Sequence, residues 1–130
     1  MTREIVIHSL DHAFAALAAA KTLSLSITLA SASGAATQAG PGWFKALIDQ
    51  ARVAYPDVAL TAILDCGDEP GAVMAALRAG LSQLRFDGDD AVRQKLAAMG
   101  ARFVEPATAV LDLCDAANPA AACIAFLDER

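Results

Sequence analysis

The stretch from residue 58 to residue 87 decides the fold. It opens with Val58-Ala59-Leu60-Thr61-Ala62-Ile63-Leu64-Asp65, a run apolar enough to be buried on both faces, and passes through Cys66-Gly67-Asp68-Glu69-Pro70. Alanines, leucines and Arg78 then follow at helical spacing as far as Gly80, and a second short run, Gln83-Leu84-Arg85-Phe86-Asp87, completes the segment. Two short strand signals separated by one capped helical segment describe a βαβ unit, and a strand apolar on both faces belongs inside a parallel sheet. Asp68 is the expected helix cap, Pro70 lies in its first turn, and Gly80 follows its last.

The same pattern continues in both directions. Strand signals recur at residues 4–8, 25–31 and 102–105, with a weaker one at 108–113. Helices are expected from Leu10 to Thr22 behind Ser9, from Pro41 through Trp43 to Ala54 before Pro56, after Asp89 as far as Gly100, and after Asn118-Pro119. The expected fold class is therefore α/β, a single domain over residues 1–130 with about five parallel strands in βα repeats. Right-handed crossovers leave two architectures. One is an open three-layer flavodoxin-like sheet, with an order such as 2-1-3-4-5. The other is a half TIM barrel whose inner face needs a partner. The open sheet is favoured, because a free-standing half barrel leaves its inner strand faces wet.

Composition narrows the function classes. With 130 residues the chain is too short for a complete eight-fold barrel, which takes roughly 250. Its 32 alanines outnumber seven aromatics, so helices are expected to pack closely through small residues. A formal charge of −5 offers no long-range attraction to nucleic acid or an anionic membrane. Lys21 interrupts the apolar stretch 13–20, which is too short for a signal peptide or a membrane span, and a cytoplasmic location is expected. Cys66, Cys114 and Cys123 have no CxxC spacing, and Cys114 and Cys123 read as buried hydrophobes.

Ligands of parallel α/β sheets approach the carboxyl ends of the strands. Those ends read His8-Ser9, Ser31, Asp65-Cys66-Gly67-Asp68, Asp87-Gly88-Asp89 and Glu105-Pro106. The expected rim for a small molecule is thus His8, Ser9, Ser31, Asp87 and Glu105, with Asp65 and Cys66 as the candidate catalytic pair. Cys66 precedes a helix N-terminus, which lowers a thiol pKa, and His8 could serve as its base. Zinc enters only through His8, Cys66 and Asp87 at neighbouring strand ends; no metal ligand set is assigned and no cofactor is expected. The loop 33–42 has Gly, Ser and Thr but no lysine in a P-loop position. Trp43 and Phe44 suit either the core or an interface.

The βαβ unit also carries a resemblance. Leu64-Asp65-Cys66-Gly67, then Ala76-Leu77-Arg78-Ala79-Gly80-Leu81, then Phe86-Asp87-Gly88 resemble class II fructose-bisphosphate aldolases. In that family a Leu-x-x-Asp-His-Gly-like strand end precedes an Ala-Ile-Arg-x-Gly-Phe helix and an Ile-Asp-Gly-Ser strand end. Upstream, Ala18-Ala19-Ala20, the strand Ile27 to Ser31, Ala39-Gly40 and the helix from Trp43 fall in the family's order. Downstream, Gly100 to Glu105 is similar to the approach to its fifth strand, so the likeness spans residues 4–105. It implies that Asp65 matches a proton-transferring aspartate, while Cys66 stands where the family has a zinc-binding histidine. The family's other zinc histidines and its phosphate loops come from later barrel strands that have no counterpart in these 130 residues. The expected function is a non-catalytic, aldolase-like domain that forms a homodimer or higher homo-oligomer and binds a small metabolite at the strand ends. The alternative is a metal- or cysteine-dependent enzyme acting on a small phosphorylated carbonyl compound through Asp65 and Cys66.

Overall fold

In the computed structural model, residues 3–129 are described. Each βα step becomes a strand, a loop and a helix: β1 (Arg3–Val6), α1 (Leu10–Leu23), β2 (Ile27–Ala30), α2 (Ala35–Gln38), α3 (Pro41–Ala54), β3 (Leu60–Asp65), α4 (Pro70–Arg78), β4 (Gln83–Arg85), α5 (Asp90–Ala98), β5 (Arg102–Phe103), β6 (Ala109–Asp112) and α6 (Pro119–Asp128). A 3-10 turn, Leu113–Asp115, follows β6. The strands form one open parallel sheet in the order β5-β4-β3-β2-β1-β6, an α/β architecture consistent with a flavodoxin-like or a half-barrel fold. The expected order 2-1-3-4-5 is not the one found. Crossover handedness fixes the side on which a helix lies, not the direction in which the next strand is added. Here β1 to β5 add in one direction and β6 takes the free edge of β1.

The chain divides into two compact units. The first comprises residues 3–30, 47–62 and 107–129 of the described chain, and the second residues 31–46 and 63–106.

In the first unit β1 lies between β2 and β6, with Ile5 opposite Leu29 and Leu111, and Val6 opposite Ala30 and Asp112. The Ser9 hydroxyl accepts the His12 amide and caps α1, as the sequence indicates. Helix α1 buries Ala13, Ala16, Leu17, Ala19 and Ala20, and it packs on α6, whose Cys123 and Leu127 are buried. Small side chains let the two helix axes approach closely. Helix α1 ends on Ser24, whose left-handed φ of 57° lets the Leu25 and Ser24 amides reach the Ala20 and Lys21 carbonyls. Ile5, Ile7, Leu17, Leu29 and Leu113 fill the core; each contributes about 1.5–3 kcal/mol by leaving water.

In the second unit β3, β4 and β5 pair in sequence, with Leu64 opposite Leu84 and Leu84 opposite Phe103. Two successive crossovers in one direction, of the same hand by the general rule for parallel strands, place α4 and α5 on one face, where they touch. Ile63, Leu64, Val73, Ala76, Leu84, Leu96 and Phe44 form its buried centre. Asp89 and the first-position Pro70 sit as expected, but the cap of α4 is Glu69 rather than Asp68, without a side-chain bond. A single turn, α2, lies in the segment between β2 and α3. Trp43 is exposed while its neighbour Phe44 is fully buried. Among the described residues, no helix is long and apolar enough to cross a membrane.

Candidate functional site

In the second unit the carboxyl ends of β3, β4 and β5 surround a pocket of about 570 Å³. Three of the expected residues, Asp65, Asp87 and Glu105, line it together with Arg85, Arg93 and Asp90. The register explains the convergence. Asp65 and Arg85 are paired at the ends of β3 and β4, and Asp87 and Glu105 each lie two residues past the end of their own strands.

The wall is held by the two arginines. Arg85 Nε and Nη2 donate to the carbonyls of Val104 and Glu105, both at 3.3 Å, which fixes the segment after β5. Arg93, on α5, donates to the Phe86 carbonyl, sits 4.6 Å above the Phe103 ring, and lies 3.6 Å from Glu105 Oε1. Phe86 and Phe103 pack with ring centroids 5.8 Å apart beneath it. Gly88 is required here, since a Cβ at this position would run into the Phe86 ring.

Asp65 has a local structural role. Its Oδ1 accepts the Gly67 amide at 2.8 Å and the Gly34 amide at 3.0 Å, so one carboxylate oxygen pins both the turn after β3 and the start of α2. Ser31 is buried, and its hydroxyl donates to the Ala32 carbonyl and accepts the Asp65 amide. It supports the loop and does not line the pocket.

Cys66 is fully buried, and its Sγ donates to the Leu64 carbonyl at 3.9 Å. Burial, reinforced by the Asp65 charge, pushes its thiol up to about 12. A thiol in that environment stays protonated at neutral pH and is a poor nucleophile. The expected lowering by the helix end is outweighed by desolvation, and Asp65, the adjacent charge, is negative.

His8 and Ser9 belong to the first unit, where His8 has different company. Its Nε2 is 2.6 Å from Asp112 Oδ1, and its backbone amide donates to His12 Nδ1 at 3.0 Å. The same Oδ1 accepts the Cys114 amide, so Asp112 closes the turn that presents Cys114. Partial desolvation opposes ionisation of Asp112. The Cys114 amide, the His8 hydrogen bond and the charges of His8 and His12 outweigh it and hold the carboxyl below the ordinary carboxylate range. Cys114 is exposed, contrary to expectation, because the Asx turn directs it outward; Cys123 is buried as expected. Desolvation and the carboxylates of Asp115 and Asp112 raise the Cys114 thiol. Among the described residues, His8, Asp112 and Cys114 are the group of three potential metal ligands, their ligand atoms all within 4.8 Å of one another.

A larger cavity, about 680 Å³, lies at the opposite ends of strands in the first unit, lined by Arg3, Ile27, Arg52 and Leu60 among others. Arg3 donates to the Leu127 carbonyl and Arg52 to the Leu60 carbonyl. Amino ends of parallel strands seldom bind ligands, and both guanidiniums are engaged with backbone, so volume is a weaker guide here than position.

Asp65, Asp87 and Glu105 were legible from the strand ends, whereas Asp90, Arg85, Arg93 and the His8–Asp112–Cys114 group were not. An arginine at a strand end and an Asp-x-Cys after a weak strand were the available signals. No family model matches the chain, and no match was found among curated proteins.

Proposed function

We propose that the chain is a non-catalytic ligand-binding domain, aldolase-like in the order of its motifs, that takes a small polar metabolite at the carboxyl ends of β3, β4 and β5 and self-associates. The observation that supports this reading best is the pocket itself. It sits where parallel sheets bind ligands, it has the size of a small metabolite, and four carboxylates face two guanidiniums in its lining. Because Arg85 and Arg93 already bond carbonyl groups, the lining disfavours a phosphorylated ligand and suits a neutral or cationic one.

The same geometry weighs against the enzyme alternative. Cys66 is buried and protonated, and Asp65 Oδ1 is bonded to two loop amides. Exposed Trp43, Met74 and Met99 give the second unit apolar surface suited to a second copy. Purified protein incubated with fructose 1,6-bisphosphate should yield no EDTA-sensitive cleavage, and sedimentation should show a dimer or larger species. Turnover that Asp65→Ala abolishes would overturn the non-catalytic reading, and a monomer at every concentration would remove the self-association.

A further inference from the structure

We infer that His8, Asp112 and Cys114 form a zinc site at the carboxyl ends of β1 and β6, within the first unit and independent of the metabolite pocket. The sheet creates the juxtaposition. Val6 is in register with Asp112, so the residues that follow each of these neighbouring strands emerge side by side. His8 is two residues beyond Val6, and Cys114 is two beyond Asp112.

Three features make this more than a surface ion pair. First, the donors are an imidazole nitrogen, a carboxylate oxygen and a thiol sulfur, a set that selects zinc over magnesium or calcium. Second, their mutual distances suit one shared ion. Tetrahedral zinc bonds of about 2.0–2.3 Å place ligand atoms roughly 3.3–3.8 Å apart. The three atoms already lie within 4.8 Å of one another, and all three side chains are partly or fully exposed and can rotate to close that gap. Third, the backbones are fixed. The His8 amide is bonded to His12 Nδ1, the His12 amide to the Ser9 hydroxyl, and the Cys114 amide to Asp112 Oδ1. Such supporting bonds hold ligand-bearing segments in place before the ion arrives.

His8 Nε2 and Asp112 Oδ1 already face each other at 2.6 Å. On binding, the imidazole presents Nε2 unprotonated with its proton on Nδ1, the thiol proton leaves to solvent, and zinc takes the Nε2 lone pair, the thiolate and one carboxylate oxygen. Three protein ligands leave a fourth position for water or an exchangeable group, the coordination of an open site rather than a closed structural one.

The test is zinc titration of the full chain in competition with a chromophoric chelator, with cobalt substitution as a second readout. One equivalent should bind, and the cobalt form should show thiolate-to-cobalt charge-transfer absorption. Cys114→Ser should abolish that absorption, and Cys114→Ser and His8→Gln should each weaken zinc by about tenfold or more. Cys114 is exposed, so its variant should keep the wild-type circular dichroism. No retained zinc, a cobalt complex without thiolate absorption, or equal affinity in wild type and both variants would overturn the site.

Discussion

Asp65→Ala should destabilise the protein, and Asp65→Asn should do so clearly less. The structure gives the magnitude. Oδ1 accepts two backbone amides, at 2.8 and 3.0 Å, from Gly67 and Gly34. A hydrogen bond to a charged group contributes about 1.5–3 kcal/mol, but Asp65 is only half-buried and water can replace part of each bond, so the lower end applies. Loss of both bonds then amounts to about 2–3 kcal/mol in Asp65→Ala. Asn keeps an acceptor oxygen without the charge, and a neutral bond retains about 1 kcal/mol each, about 2 kcal/mol for the pair, so Asp65→Asn should lose no more than about 1 kcal/mol. Urea denaturation reads this directly: with a slope of about 1–3 kcal/mol/M, the alanine variant should unfold about 1–2 M earlier than wild type. Amide exchange at Gly34 and Gly67 should accelerate in the same order. An Asp65→Ala midpoint indistinguishable from wild type, or Asn as harmful as Ala, would refute the assignment of Asp65 as the pin between two loops.

Other substitutions probe separate features of the fold. Ser24→Gly should stabilise the protein by about 0.5–1 kcal/mol, measured by urea unfolding, because glycine adopts the left-handed cap of α1 without the strain a Cβ brings. Gly88→Ala should displace the Phe86 ring and destabilise by about 1–3 kcal/mol, with an altered Phe86 environment visible by NMR. Cys66 makes stability fall in alkali. Its folded thiol titrates at about 12 against an ordinary 9.0, so the folded form keeps a proton that the unfolded chain loses. The contribution is therefore complete below about pH 9 and declines as pH rises toward 12, and Cys66→Ala should flatten the decline in unfolding experiments across that window. Thiol labelling of the native protein should modify Cys114 rapidly and Cys66 and Cys123 slowly.

The parts of the structure legible in the sequence are those set by local chemistry. Ser9, Asp89 and Asn118 cap the helices they precede because a short polar side chain meets free amides wherever a helix begins. The βα alternation and the doubly apolar run at β3 yield the parallel sheet. What escaped depends on distant partners. Strand order depends on the side of β1 to which β2 is added and on the edge that β6 takes, neither of which is local, and Ala109–Asp112 alternates half-buried with exposed residues, so its own sequence is a weak strand signal. His8 meets Asp112 across 104 residues of chain, beyond any spacing argument. Cys114 follows a buried leucine and reads as apolar, yet the Asx turn at Asp112 rotates it to the surface. Arg85 and Arg93 look like solvated charges until the fold brings the Val104 and Glu105 carbonyls, just past β5, to Arg85, and the Phe86 carbonyl and the Phe103 ring to Arg93.

The most direct test of the binding role is an NMR titration of the isotopically labelled protein with dihydroxyacetone, putrescine and dihydroxyacetone phosphate in parallel. A neutral or cationic probe should shift the amides of Gly67, Asp87, Gly88, Val104 and Glu105, with the phosphorylated probe the weakest. Shifts confined to Arg3, Ile27 and Arg52 at the other strand ends, or strongest binding by the phosphate, would contradict that role.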